Sequence, residues 1–186
     1  MRCFIAVDID EQIAAAVRRV QDDLRRNSCL RESDVRWVDP SLMHITLKFF
    51  AEVPDRDIMQ ICKTITEIAA KCQPFTMNIE KVGTFGSPAR VIWVGAANDK
   101  PLVELQNDLD GRLAMAGFAA ENRKFSVHLT LCRIKNRQTA SVLTKLVANI
   151  TETDFGPLYI DSLCLYKSDL TSQGPEYTLM HRASLS

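Results

Sequence analysis

The chain has 186 residues, of which 46% are hydrophobic and 25% are charged, as is usual for a globular protein with one large domain or two small lobes. Lys and Arg together number 23, as do Asp and Glu, so the overall charge gives no sign of a nucleic-acid or membrane partner, and any anion site must be local. The opening apolar run is too short for a signal peptide, and no stretch approaches the roughly 20 residues of a membrane span. We therefore expect a cytoplasmic protein without a membrane partner.

In the first half of the chain, apolar runs and helical spacings predict alternating strands and helices. In chain order they are a strand over 3–7, a helix with Asp10 as its cap and Ile13, Val17, Val20 and Leu24 on one face, strands over 35–38 and 43–50, a helix opened by Pro54 and Asp55, and a strand over 75–82.

The second half repeats much of this order. It predicts a strand over 91–94, a helix with Leu102, Leu105, Leu109 and Leu113 that stops at Gly117, a strand over 126–134, a helix with Leu143 and Leu146, an interruption at 155–157, and strands over 159–166 and 177–181.

Neither a Gly/Ser-rich linker nor a low-complexity tract separates the two halves. Hairpin-like connections between the strands favour antiparallel pairing over a wholly parallel sheet. We predict an α+β fold that is one bilobal domain over 1–186, with two pseudo-symmetric lobes around a central cleft, each with an antiparallel sheet and two helices.

The six cysteines contain no C-x-x-C pair, and several lie inside apolar patterns. They are Cys3, Cys29, Cys62, Cys72, Cys132 and Cys164. This distribution predicts buried thiols in a reducing compartment, with neither a disulfide framework nor a zinc site.

Two of the three histidines lie in a repeated tetrapeptide, His44-Ile45-Thr46-Leu47 and His128-Leu129-Thr130-Leu131. Side chains alternate between the faces of a strand, so His and Thr share one face and the two aliphatic residues share the other. A single copy is also typical of any half-buried strand. Two copies in equivalent places of two similar halves favour a functional site that joins two imidazoles and two hydroxyls.

These groups suit an in-line displacement at phosphorus. One imidazole can accept a proton from the attacking water, and the other can donate a proton to the departing oxygen, because the unperturbed pKa of histidine lies near 6.5. The threonine hydroxyls can donate to the non-bridging phosphate oxygens as negative charge develops.

Beyond the two motifs, the chain resembles the two-histidine (2H) phosphoesterases, and among them most closely the RNA 2′,3′-cyclic phosphodiesterases, also called LigT-like proteins or 2′-5′ RNA ligases. The resemblance covers nearly the whole chain. It is carried by residues 2–7, 37–38, 44–49, 83–86, 90–95, 128–133, 165–168 and 174–177.

The resemblance implies metal-free and cofactor-free opening of a terminal 2′,3′-cyclic phosphate to a 2′-phosphomonoester, with a reversible ligation that forms 2′-5′ bonds. It implies His44 as the proton donor, His128 as the proton acceptor, and phosphate binding by Thr46 and Thr130. The expected substrates are RNA ends with a cyclic phosphate, such as tRNA half-molecules, or cyclic nucleotides. We expect a monomer.

Two positions depart from the family pattern. Gly86 stands where the family often has Pro, and Cys132 stands where it often has Gly before the arginine of the second motif. Neither position supplies chemistry in the expected mechanism.

Arg133 matches a family arginine and is a candidate to neutralise phosphate charge. Strict alternation places it opposite His128 unless a bulge intervenes, and a structural salt bridge is the alternative. The same alternation places Lys48 on the face of His44, as a site residue or as a solvated strand residue.

Four aromatic residues are candidates for stacking on bases, although core packing is the expected role of most of them. They are Phe4, Phe49, Phe125 and Tyr166. The third histidine, His181, lies in no repeated context, and we expect an ordinary strand or surface role for it.

Two alternatives belong to other classes. A non-catalytic module that binds nucleotides or RNA ends would use the same fold and site. A magnesium-dependent phosphatase with Asp8 of the Asp8-Ile9-Asp10 segment as nucleophile would need the threonine that usually follows, whereas Gln12 stands there.

Overall fold

The computed structural model describes residues 1–28, 30–97, 99–151, 153–172 and 174–186, which leaves Cys29 outside the described part. Its strands are β1 (Cys3–Asp8), β2 (Val35–Trp37), β3 (His44–Phe50), β4 (Phe75–Phe85), β5 (Val91–Ala97), β6 (His128–Ile134), β7 (Asp154–Ile160), β8 (Ser162–Thr171) and β9 (Gly174–Ser184). Its α-helices are α1 (Glu11–Ser28), α2 (Asp55–Ala69), α3 (Lys100–Met115) and α4 (Arg137–Ala148).

Short polar signals set the helix ends. The side chain of Asp10 accepts a hydrogen bond from the backbone of Ile13 at 2.8 Å, which confirms it as the cap of α1. Asn136 caps α4 in the same way through Thr139, at 2.9 Å. Gly117 follows α3 with a φ of +95°, a conformation that favours glycine and ends the helix as predicted.

Two antiparallel sheets form the framework. The first sheet has the strand order β3-β1-β8-β9, and the second has β2-β6-β5-β4-β7. Helices α2 and α3 pack together against the first sheet, whereas α1 and α4 pack together against the second. Two sheets with two helices each confirm the predicted bilobal α+β class.

The lobes exchange elements between the two halves of the sequence. Helix α1 follows β1 of the first sheet but packs on the second, and α3 follows β5 of the second sheet but contacts β3 of the first. The C-terminal strands β8 and β9 return to pair beside β1. Each lobe therefore contains residues from both halves, although β3 and β6 remain in equivalent places beside β1 and β5.

The predicted interruption at 155–157 is wrong, because these residues lie inside β7. Strand β7 is at the edge of the second sheet, where Pro157 costs no interior ladder hydrogen bond. Gly156 has a φ of +102° beside a register shift in the pairing with β4. The single strand predicted over 159–166 is also wrong, since the run divides at Asp161 into β7 and β8, which belong to different sheets.

Each motif strand contains a β-bulge at the leucine of its motif. In β3, Thr46 pairs with Ala6 and Lys48 pairs with Ile5, so Leu47 is the extra residue. In β6, Thr130 pairs with Trp93 and Cys132 with Ile92, which leaves Leu131 as the extra residue. A bulge interrupts the alternation of faces, and the residues beyond it change sides.

The first bulge overturns the expectation for Lys48. Its side chain points into the protein instead of sharing the face of His44, and it is 3% exposed. It forms an ion pair with Asp110 of α3 and donates a hydrogen bond to the backbone carbonyl of Ala119. A buried ammonium needs such partners, because an unpaired buried charge is costly.

The cysteines of the described residues follow the prediction of unpaired thiols. Cys3, Cys132 and Cys164 are buried, whereas Cys62 and Cys72 are partly buried. Burial raises the pKa of the Cys132 thiol to about 12, so this residue remains an uncharged part of the core.

Lys48→Ala should lower the free energy of unfolding by about 3 kcal/mol, because it leaves the carboxylate of Asp110 without its buried partner. Lys63→Ala is the matched control, since Lys63 forms an exposed ion pair with Glu67 on α2 and should change stability by less than about 1 kcal/mol. Urea unfolding of both variants measures the difference. Equal losses would contradict a structural role for the buried pair.

Candidate active site

The two tetrapeptide motifs face one cavity between the two sheets. The cavity has a volume of about 490 Å³, and its walls include His44 and Thr46 of β3 together with His128 and Thr130 of β6. Ile45 and Leu47 are buried on the other side of β3, as Leu129 and Leu131 are on β6. The structure therefore brings the four predicted motif side chains together at one cleft.

Both imidazoles are oriented by the same local hydrogen bond. The Nδ1 atom of His44 lies 3.0 Å from the carbonyl oxygen of Leu42, and Nδ1 of His128 lies 2.8 Å from that of Ser126. A carbonyl oxygen only accepts, so Nδ1 is the donor in each pair. The Nε2 atom of each ring therefore has its lone pair when the imidazole is neutral and a proton when it is charged.

His44 lies against aromatic rings of its own lobe. Phe4 stacks on the imidazole with a centroid distance of 4.4 Å, and the ring of Tyr177 meets it edge-on at 5.3 Å. This burial lowers the pKa of His44, while the hydrogen bond to Leu42 and the charge of Asp8 act in the opposite direction. The net effect favours the neutral imidazole.

His128 has a different aromatic support. Phe85 meets its ring edge-on at 5.1 Å and stacks on Trp93 at 5.1 Å. The indole of Trp93 lies over Gly83 and Gly95, where an added Cβ would stand 2.4 Å and 2.7 Å from the ring. These two glycines leave the space in which Trp93 lies flat on the sheet and supports Phe85.

The two histidines also differ in the residue that faces each across the neighbouring strand. Asp8 pairs with His44, whereas Gly95 pairs with His128. The Asp8 carboxylate accepts hydrogen bonds from the hydroxyl of Tyr166 at 2.7 Å and from the guanidinium of Arg182 at 2.8 Å. His44 therefore has a fixed carboxylate close by, whereas the residue at the corresponding pairing position of His128 is a glycine without a side chain.

The Asp8-Ile9-Asp10 segment is accounted for without a nucleophile. Asp8 is held by Tyr166 and Arg182, and Asp10 caps α1. Among the residues that the structure describes, no three or more His, Cys, Asp or Glu side chains are grouped closely enough to hold a metal ion. These contacts give no support to the magnesium-dependent phosphatase alternative.

Buried glutamines hold the two bulges. Gln21 of α1 donates to the carbonyl oxygens of Leu131 and Val38, each at 2.8 Å. Gln106 of α3 donates to the carbonyl oxygen of Leu47 at 3.3 Å. Both glutamines are at most 3% exposed. Each bonds the carbonyl oxygen of an extra residue of a strand in a buried place, and the carbonyl oxygen of Leu131 also accepts from the backbone N–H of Val38 at 3.0 Å.

Arg133 lines the cavity, because the bulge at Leu131 returns its side chain to the open face of β6. It forms no ion pair with any other residue in the described ranges, so the structural salt bridge expected as an alternative is not found. The equivalent residue beyond the first bulge, Phe49, also lines the cavity and is 41% exposed.

The remaining candidates divide between the cavity and the core. Phe4 lines the cavity, Phe125 packs against the core, and Tyr166 is hydrogen-bonded to Asp8. Nε2 of His181 lies 2.9 Å from the hydroxyl of Thr66 on α2, and His181 is not part of the cavity wall.

Several cavity residues were not predicted as site residues. They are Arg2, Arg36, Trp37, Ser168 and Tyr177. Most of them lie in segments that resemble the family, but they carry no repeated motif. Arg36 and Trp37 reach the cleft through the pairing of β2 with β6, and Ser168 and Tyr177 pair with each other on β8 and β9.

The family model described as LigT like Phosphoesterase matches residues 7–93 and 94–177, one H-x-T-L motif in each match. A relative from Methanothermobacter thermautotrophicus named RNA 2′,3′-cyclic phosphodiesterase is 32% identical over 182 residues, which cover 97% of this chain and 96% of the relative. A relative of the same name from Thermotoga maritima is 31% identical over 97% of this chain and 94% of its own length. The chain therefore belongs to the LigT-like phosphoesterase family and is an enzyme of that class.

Solved structures have the same fold. TT0787 of Thermus thermophilus matches with a TM-score of 0.80 at 23% identity, covering 100% of this chain and 98% of that one. E. coli LigT complexed with 3′-AMP matches with a TM-score of 0.78 at 22% identity and the same coverage. At these identities the likeness concerns the fold. No helix in the described ranges combines the length and the apolar character needed to cross a membrane.

Gln21→Leu should lower the free energy of unfolding by about 2 kcal/mol, because it removes two hydrogen bonds and leaves the carbonyl oxygen of Leu131 with only the backbone N–H of Val38 as donor. Gln60→Leu on the exposed face of α2 is the control and should change stability by about 0.5 kcal/mol at most. Urea unfolding measures both. If the two variants were equally stable, the glutamine would not anchor the bulge.

Proposed function

We propose that this protein hydrolyses terminal 2′,3′-cyclic phosphates of RNA to 2′-phosphomonoesters by metal-independent acid–base catalysis with two histidines. The observation that carries the proposal is the pair of imidazoles at one cavity. In each, Nδ1 donates a hydrogen bond to the backbone carbonyl two residues earlier, which leaves Nε2 for the substrate. The relatives named RNA 2′,3′-cyclic phosphodiesterase support the choice of substrate.

In the proposed reaction, Nε2 of His128 accepts a proton from water while the water oxygen attacks phosphorus. The bond from phosphorus to O3′ breaks, and the protonated Nε2 of His44 donates its proton to that oxygen. Thr46 and Thr130 donate hydrogen bonds to the non-bridging oxygens, on which charge develops. Arg133 adds positive charge to the same cavity at a position further along β6 than the two motif side chains. The product has a 2′-phosphate and a free 3′-hydroxyl.

The surroundings of the two rings support this division of roles. Asp8 favours a positive charge on His44, whereas the equivalent position beside His128 is Gly95. Burial lowers the pKa of His44, and an anionic phosphodiester placed against the ring would favour the imidazolium. We therefore propose that His44 is the donor and that its proton is retained best when substrate is bound.

The proposed chemistry needs no Lewis acid, because the two imidazoles and the two hydroxyls supply the proton transfers and the hydrogen bonds. If a 5′-hydroxyl of a second RNA takes the place of water, the same acid and base would form a 2′-5′ phosphodiester. Forward and reverse rates on tRNA half-molecules would establish which direction the enzyme favours.

His44→Ala and His128→Ala should each lower kcat on a nucleoside 2′,3′-cyclic phosphate by about 10²- to 10⁴-fold, the usual contribution of one acid or base. His181→Ala is the matched control, since it removes the third histidine, which lies outside the cavity wall. Release of the 2′-phosphate is measured with and without EDTA. Full activity in both cavity variants, or loss of wild-type activity in EDTA, would contradict the mechanism.

Asp8→Asn should lower the pKa of His44 further, because it removes a negative charge that favours the imidazolium. An acid must be protonated, so kcat/KM falls as pH rises through the pKa of the donor, and this basic limb should move to lower pH in the variant. Asp108→Asn, at an exposed carboxylate paired with Arg112, is the control. A shift of the acidic limb instead would reverse the roles of the two histidines.

A further inference from the structure

Two arginines lie directly opposite each other at one side of the cavity. Arg36 of β2 pairs with Arg133 of β6 in the antiparallel register, and both line the cavity and are exposed. Neither is hydrogen-bonded or ion-paired to another side chain among the described residues. Like charges opposite each other across two strands repel, and a sheet retains such a pair only at a cost in stability.

The third arginine of the cavity differs from this pair. The guanidinium of Arg2 lies over the ring of Phe49, 4.7 Å from its centroid, and is therefore already occupied by an aromatic contact. Arg36 and Arg133 form no such contact with a ring in the described part of the chain. They are the adjacent cavity cations that are free to bind an anion.

The position of the pair points beyond the phosphate that reacts. Thr130 pairs with Trp93 of β5 and Arg133 with Val91, so the bulge leaves them two positions apart along the sheet, which corresponds to roughly 7 Å. The phosphate of a cyclic diester has a single negative charge, and the motif histidines and threonines already face it. Two further guanidiniums bring two more positive charges and more hydrogen-bond donors than this one anion can use. Their planar geometry matches the oxygens of a phosphate.

We propose that Arg36 and Arg133 form a second phosphate site, which binds the phosphate on the 5′ oxygen of the terminal nucleoside while its 2′,3′-cyclic phosphate lies between the histidines. This inference rests on the proposed function and deepens it. The preferred substrate class is then an oligoribonucleotide, or a 5′-phosphorylated nucleotide, with a cyclic phosphate end. A cavity of about 490 Å³ is of the size that holds one nucleotide.

The test compares kcat/KM for three substrates: uridine 2′,3′-cyclic phosphate, its 5′-phosphorylated form, and the dinucleotide ApU with a 2′,3′-cyclic phosphate. In the wild type, the second phosphate should raise kcat/KM by about tenfold or more. In Arg36→Gln this advantage should fall towards one. Arg137→Gln, which removes an exposed arginine of α4 outside the cavity wall, is the control and should keep the advantage.

The two phosphorylated substrates separate the sources of the anion. A gain with both, or with either one, supports the site and shows whether it binds a monoester, a diester, or both. The salt dependence provides a second readout, because the slope of log kcat/KM against log salt for ApU should decrease by about 0.7 when Arg36 is replaced, as for one lost phosphate contact.

Equal kcat/KM for the three substrates in the wild type would overturn the second phosphate site and leave the proposed function intact. So would an Arg36→Gln variant that loses the same factor on all three substrates. If the wild type hydrolysed none of them, the proposed function itself would be wrong, and this inference would fall with it.

Discussion

The geometry of the candidate active site depends on one repeated constraint, the β-bulge in each motif strand and the glutamine that bonds it. Leu47 and Leu131 each add one residue to a strand, and the carbonyl oxygen of each accepts a hydrogen bond from a buried glutamine. Gln106 and Gln21 bond these oxygens from helices packed behind the sheets. Because a hydrogen bond to a buried carbonyl stabilises the folded chain, the glutamines support the places where the strands shift, and these places decide which later side chains face the cleft. The histidine and threonine before each bulge depend only on alternation, but Arg133 reaches the cavity because of the bulge.

The two glutamines lie on the helices that the lobes exchange. Gln21 lies on α1, which comes directly after a strand of the first sheet but packs on the second. Gln106 lies on α3, which crosses in the opposite direction. Each motif strand is therefore supported by a helix that follows a strand of the other sheet. Gln21 of the first half of the sequence bonds Leu131 of the second, and Gln106 of the second half bonds Leu47 of the first.

The two motifs are alike in sequence but not in surroundings. His44 lies against Phe4 and near the carboxylate of Asp8, whereas His128 lies against Phe85 with glycine at the equivalent pairing position. A general acid and a general base need different affinities for a proton, and identical residues can acquire them only from their neighbours. The pseudo-symmetry places two imidazoles at one cavity, and its local violation at Asp8 supplies a physical basis for the different roles that we propose for them. Charge is also distributed unevenly. Acidic and basic residues are equal in number over the whole chain, but arginines are concentrated at the cleft.

Local sequence patterns were enough to establish the class of the fold, the helix caps at Asp10 and Gly117, and the four motif side chains, because these follow from periodicity, capping chemistry and a visible repeat. Which elements pair depended on tertiary packing. A continuous apolar run does not mark the change of sheet at Asp161, and the edge position that allows Pro157 in a strand depends on distant partners. The side chain of Lys48 points into the core and that of Arg133 points into the cavity for a reason that is likewise tertiary, because each follows a β-bulge. A bulge is set by the register between strands far apart in the chain, and that register is decided by which packing buries the core and satisfies the backbone.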